Sequence, residues 1–283
     1  MTFLERLKAP GPFVTIEMRP PRADLSYEAT MDAWLAMGSA VRRLAREDTS
    51  LFFTDNAVGA NEEENLHHLI TNLEDELARI RICPFLTAKH TLQYCLWYAD
   101  RAVSDGHTAL TVLGGDKHVG PPRCVPHSSD LRKKIRARHP GLALGAWANP
   151  YHDPQQQASY LVEEDVAADF YLTQIVSHHE LEPVQRFIEE TDRRGVGIPG
   201  VFGVFYYRSA NPKTFKMLSK FLRVPAEQIT HDFEERGLSA DQICADTINA
   251  LRRFGVQRVY VSNLRPDDVP ERLEAIRQLT SNG

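Results

Sequence analysis

The sequence predicts a single α/β domain closed as a (β/α)8 TIM barrel, and three observations carry that prediction. Eight short, mostly apolar runs of strand character alternate with longer amphipathic stretches through the whole chain. Eight is the strand number that closes a barrel whose interior side chains can fill. The length, 283 residues, is usual for that fold, and no long Gly/Ser/Pro linker divides it. An open doubly wound sheet is the competing architecture for the same alternation.

The strands are expected at 13–17, 50–54, 82–86, 109–113, 142–147, 170–174, 198–204 and 258–262. Each is short and rich in apolar residues, as strands covered on both faces must be. The helices are expected at 27–46, 62–78, 92–104, 129–138, 154–164, 180–194, 240–254 and 269–279, with Met31, Leu35, Met37, Val41 and Leu44 along the first. Asp105-Gly106 and Arg194-Gly195 supply stop signals, while Ser239 and Phe254-Gly255 bracket the seventh helix. The stretch 209–236 carries extra helical material between the seventh and eighth strands.

Composition excludes several classes of function. A net charge of -5 and a pI near 6.1 argue against nucleic-acid or polyanion binding. No run of about 18 apolar residues is present, so no membrane span is expected. The first residues, Met-Thr-Phe-Leu-Glu-Arg-Leu-Lys, have an early acid and no apolar core, which predicts no secretory signal and a cytoplasmic location. Cys83, Cys95, Cys124 and Cys244 are scattered without a C-x-x-C pair and read as reduced thiols. His67-His68 and His178-His179 are adjacent pairs. Neighbours diverge on a helix or strand, so no metal site is expected from them.

In a barrel of this kind the active site lies at the C-terminal ends of the strands. The polar residues there are Glu17, Thr54, Asp116, Asn149, Gln174 and Asn263. Singly, each reads as well as a cap or turn residue; as a set on one face they read as a polar pocket. Glu17 ends the apolar run Phe13-Val14-Thr15-Ile16 and precedes Met18-Arg19-Pro20-Pro21-Arg22. Gly114-Gly115-Asp116 follows a strand but fits neither a dinucleotide fingerprint nor a P-loop. Gln174 ends a buried strand in an uncharged amide, which offers a donor and an acceptor to a heterocycle edge.

With these markers in order, the chain resembles the methylenetetrahydrofolate reductase family. They are Thr15-Ile16-Glu17-Met18-Arg19-Pro20-Pro21-Arg22, Pro84-Phe85-Leu86-Thr87, Leu113-Gly114-Gly115-Asp116, Ala148-Asn149-Pro150-Tyr151-His152, Thr173-Gln174 and Ile198-Pro199-Gly200. The resemblance spans about residue 13 to residue 266 and implies a (β/α)8 barrel. It implies interconversion of 5,10-methylenetetrahydrofolate and 5-methyltetrahydrofolate, with FAD carrying hydride from NADH or NADPH. Glu17 would then be the general acid, its pKa raised by partial desolvation. Asp116 would serve pterin and flavin, and Gln174 would bind the folate. Thr54, Gly115, Ser128, Asn149 and His152 match cofactor positions. Tyr206 and Arg265 are candidates for the folate tail, and homo-oligomers are common in the family.

The departures from the family cluster on the flavin. A histidine of the usual pattern is Phe85, an arginine is Gly114, and a usually basic segment reads Glu163-Glu164-Asp165. A diphosphate is held by cations or helix N-termini, so acids there would repel it. Lys89, Lys117 and Arg123 are the compensating cations available. Two further readings follow: direct hydride transfer from NAD(P)H to folate without flavin, or a non-catalytic folate-binding paralogue.

Overall fold

The computed structural model describes residues 1–22, 24–55, 79, 81–116, 120–162 and 166–281. Its strands are β1 (Phe13–Met18), β2 (Leu51–Phe53), β3 (Ile82–Thr87), β4 (Ala109–Leu113), β5 (Ala143–Ala148), β6 (Phe170–Val176), β7 (Gly200–Phe205) and β8 (Arg258–Ser262). They pair in sequence order, all parallel, and β8 returns to β1, which makes a closed (β/α)8 barrel. The open-sheet alternative is thereby excluded.

The described helices are α1 (Phe3–Lys8), α2 (Tyr27–Arg46), α3 (Leu92–Ser104), α4 (Ser128–Arg138), α5 (Pro154–Val162), α6 (Leu181–Arg193), α7 (Pro212–Leu218), α8 (Ala226–Glu234), α9 (Ala240–Arg253) and α10 (Val269–Ser281). The helix expected over 62–78 lies outside the described residues. Helix α9 starts where the sequence places it: Ser239 accepts from the Gln242 backbone, and the Gln242 side chain returns to Ser239. Helices α7 and α8 occupy the extra segment between β7 and β8.

Alternation on β1 decides which side chains enter the barrel. Ile16 and Met18, with Val14 beside them, pack outward in a cluster that holds Trp34, Met37, Val41 and Leu44 of α2. Phe13 packs with the interior cluster, and Thr15, fully buried, donates to the Ser50 carbonyl. Glu17 shares that inward register.

The interior is an aromatic stack. Phe52 sits 5.3 Å from Phe3, 5.8 Å from Phe85, 5.9 Å from Tyr260 and 6.4 Å from Phe170, ring centre to ring centre. Phe3 and Leu7, one turn apart on α1, are fully buried and close the N-terminal end. The sequence reading missed α1, because six residues give too few repeats for a helical period to show.

Gly203 makes room for this stack. A Cβ there would stand 2.5 Å from the Tyr260 hydroxyl. That hydroxyl donates to the Thr173 carbonyl (2.7 Å), and the Thr173 hydroxyl accepts from the Gly203 amide (3.1 Å). Gly203→Ala is therefore expected to cost about 1–3 kcal/mol through overpacking, read as a lower midpoint in chemical denaturation.

Candidate active site at the C-terminal mouth

Because all eight strands are parallel, their C-terminal ends share one mouth, and Glu17, Thr54, Asp116, Asn149 and Gln174 all lie at that end. Glu17 is half-buried there. It registers against Phe52 on one side and Ser262 on the other. The Ser262 hydroxyl donates to Glu17 Oε1 at 2.8 Å, which fixes the plane of the carboxyl group. Below it, the Tyr260 phenol is held protonated, its pKa pushed far up by burial and then by the charge of Glu17. A carboxyl group thus faces the mouth over an aromatic floor, with its orientation set by a neighbouring strand. Ser262 was absent from the sequence candidates, since register between the first and last strands is not visible in a linear pattern.

On the β2–β4 side a second acidic residue, also missed, organises the rim. Asp55 Oδ2 accepts from the Thr87 amide (2.7 Å) and the Thr87 hydroxyl (2.9 Å). His90 Nε2 lies 3.0 Å from the same oxygen and its ring stacks 4.5 Å from Tyr94. Its neighbour Thr54 is buried, its amide continuing the β1–β2 pairing to the Met18 carbonyl. Adjacency of an acid to the predicted Thr54 was the available signal.

Gly114 and Gly115 are crossed closely by two cations. A Cβ on Gly114 would stand 2.7 Å from the Arg123 guanidinium carbon, so Arg123 fills the space that a longer residue at 114 would need. Gly115 has φ +72, and a Cβ there would stand 2.7 Å from Lys89 Cγ. Asp116 follows, half-buried at the rim.

Among the described residues, the cations expected near a flavin diphosphate are engaged within the protein. Lys89 is buried and donates to the Pro121 carbonyl (3.0 Å). Arg123 donates to the Gly115 carbonyl, leaving Nε buried without an acceptor among the described residues. Ser128 opens α4 and its hydroxyl accepts from Arg132 (3.1 Å). Arg132 also serves the Val166 and Val112 carbonyls, and burial lowers its pKa to about 10. A single unmatched Nε is not a diphosphate cradle. Lys117, Glu163, Glu164 and Asp165 lie outside the described residues.

Asn149 and His152 build a turn. The Asn149 side chain accepts from the Tyr151 amide (3.1 Å) and stands 3.3 Å from His152 Nε2. Gln174 lies at a register shift in β6; its Oε1 accepts from the Ile175 amide (2.9 Å) and its Nε2 donates to the Phe221 carbonyl (3.4 Å). That ties the amide to the segment between α7 and α8.

Tyr206 corrects an expectation. It is 6% exposed in the outer cluster and its hydroxyl donates to Asp241 (2.7 Å), so it offers no open face to an aminobenzoate. Its alternate neighbour Tyr207 is equally buried, against Phe205 and Phe215. Strand alternation sends one ring outward and one inward. Arg265 is exposed and lies close enough to Arg208 that their like charges, after burial, lower the Arg208 pKa. Arg208 donates to the Asn263 carbonyl (2.8 Å) and side chain (3.0 Å). A cationic edge suited to carboxylates results.

The histidine pair corrects a second expectation. His178 and His179 sit in a turn after β6, in neither helix nor strand, and their rings lie tilted with centres 3.9 Å apart. Both reach Asp232 of α8: His179 Nε2 at 2.8 Å and His178 Nε2 at 3.6 Å. Burial and the adjacent His179 hold the His178 pKa below its ordinary value. Cys95 and Cys124 face each other at 4.0 Å as thiols, the former pushed up by burial. Among the described residues no helix is long and apolar enough to cross a membrane.

Neither a protein-family model nor a curated protein matches the chain. Solved structures do. An uncharacterized protein from Clostridium thermocellum, described as binding two copies of 5-methyl-5,6,7,8-tetrahydrofolic acid, covers 99% of this chain and 100% of its own. Its TM-score is 0.75 at 15% identity. The two share a fold. The aldolase QR15 covers 94% of this chain and 95% of its own at 12% identity, with a TM-score of 0.48, too low to carry an argument.

Proposed function

We propose that the chain is an oxidoreductase that interconverts 5,10-methylenetetrahydrofolate and 5-methyltetrahydrofolate, with Glu17 as general acid. The observation that carries this reading is the inward, Ser262-oriented carboxyl group over an aromatic floor at the barrel mouth. Two facts support the substrate class. The family markers run through this mouth, and a protein of the same fold is described as binding 5-methyltetrahydrofolate.

In the proposed reaction Glu17 gives a proton to a nitrogen of the imidazolidine ring, whose C–N bond breaks to leave an iminium. Hydride then adds to the iminium carbon and yields the methyl group. Asp116 and Gln174 bind the pterin edge, and flat rings such as Trp147 and Phe205 at the rim would lie against it. Gln174 must exchange its long bond to Phe221 for the ligand. Arg208 and Arg265 would meet the carboxylates of the glutamyl tail.

A second reading, direct hydride transfer from a reduced nicotinamide, is motivated by Lys89, Arg123 and Ser128, which are engaged within the protein near the positions that the resemblance gives to FAD. The resemblance instead implies FAD, which would supply hydride by accepting it first from NADH or NADPH. Purified protein separates the two. A colourless protein that oxidises NADH or NADPH only with methylenetetrahydrofolate supports direct transfer; a flavin spectrum supports FAD. Absence of turnover with added flavin and either nicotinamide would leave a folate-binding protein and overturn the catalytic reading.

A further inference from the structure

Outside the mouth's floor, the cluster at the junction of the β6 turn and the inserted helix α8 has the chemistry of a metal site. We propose that His178, His179 and Asp232 bind one divalent first-row transition-metal ion of the zinc class.

The donor spacing comes first. The three donor atoms lie within 4.8 Å of one another, and the two imidazole nitrogens stand 2.8 Å and 3.6 Å from one carboxylate oxygen. Ligands about 2.0–2.1 Å from a tetrahedral ion are separated by roughly 3.3 Å, so small ring rotations bring all three into range. Two imidazoles and one carboxylate suit zinc, cobalt or nickel and not calcium or magnesium.

Burial and hydrogen bonding distinguish the two ring nitrogens of His178. The Thr247 hydroxyl lies 2.8 Å from His178 Nδ1 and 3.3 Å from the Ile243 carbonyl, so it can donate to that carbonyl while accepting from an Nδ1–H. With the His178 proton on Nδ1, Nε2 carries a lone pair. That nitrogen is buried, has no hydrogen-bond partner, and points toward a carboxylate whose side chain is 1% exposed. Two facing lone pairs in a buried place repel, and a cation between them removes the conflict.

The surroundings complete the pattern. Metal-bound histidines donate their second nitrogen to an oxygen, and ligating carboxylates are themselves hydrogen-bonded. Thr247 fills the first role and Arg236, 2.8 Å from Asp232 Oδ1, the second. An open cavity of about 520 Å³, lined by His179, Glu227, His231, Asp232 and Arg236, gives an entry path and room for water as fourth ligand. The ion would pin α8 to the turn after β6.

Zn2+ titration of chelator-treated protein, followed by calorimetry, tests this. One ion is expected per chain, with a higher thermal midpoint on saturation. His178→Ala and His179→Ala should each abolish that binding while folding normally by circular dichroism. Thr247→Val, which leaves the donors in place, should weaken it about 10–100-fold. His231→Gln, at the cavity edge, should keep it. Should the wild-type chain bind no ion, or should both histidine variants bind as it does, the assignment is overturned. A Thr247→Val variant of undiminished affinity would overturn the positioning role given to Thr247.

Discussion

Glu17→Gln is expected to lower turnover of methylenetetrahydrofolate by about 10²–10⁴-fold, the range for loss of a positioned general acid. Folate binding should stay within a few-fold, because glutamine keeps the size and the acceptor that Ser262 engages at 2.8 Å. What the amide lacks is the proton. The loss should therefore appear in kcat and kcat/KM together, as for an interaction made only in the transition state. A transfer from nicotinamide to flavin, if one occurs, needs no ring opening and should survive. Steady-state kinetics beside a folate titration of the same variant checks this, and wild-type turnover would remove Glu17 from the role.

Phe52→Ala carries the largest expected effect on stability, about 3–5 kcal/mol. The ring is fully buried and packs edge-on against Phe3 and Tyr260 and tilted against Phe85 and Phe170. Deleting it leaves a cavity that the closed barrel cannot collapse into, since Phe85, Phe170 and Tyr260 hang from three different strands and Phe3 from α1. Phe52 is also the register neighbour of Glu17, so the loss should reach the mouth. Chemical denaturation of Phe52→Ala beside Phe52→Leu gives the measurement; the leucine variant should recover much of the difference.

The eight strands were legible because strands covered on both faces must be apolar, and helices between them must show a period of 3.6. Glu17 was legible as a charge closing such a run. Its partner Ser262 was not, because the pairing of the first strand with the last depends on closure across 245 residues. Asp55 stood next to a predicted residue, yet its bonds to Thr87 and His90 join segments more than 30 residues apart. The burial of Tyr206 was not legible, because its cover by α9 is a tertiary effect. The histidine pair was misread because divergence of neighbours holds for regular backbone, and these two lie in a turn. Phe85, where the family pattern has histidine, reads in the fold as part of the aromatic floor.

Isotope transfer tests the central claim most directly. With NADH or NADPH carrying deuterium at the transferred position, and 5,10-methylenetetrahydrofolate as acceptor, the account predicts 5-methyltetrahydrofolate, with deuterium in its methyl group for direct transfer and without it for passage through a flavin N–H that exchanges with water. The Glu17→Gln chain should form it far more slowly. Wild-type protein that binds folate yet forms no methyl product under these conditions, with or without added flavin, would contradict the account.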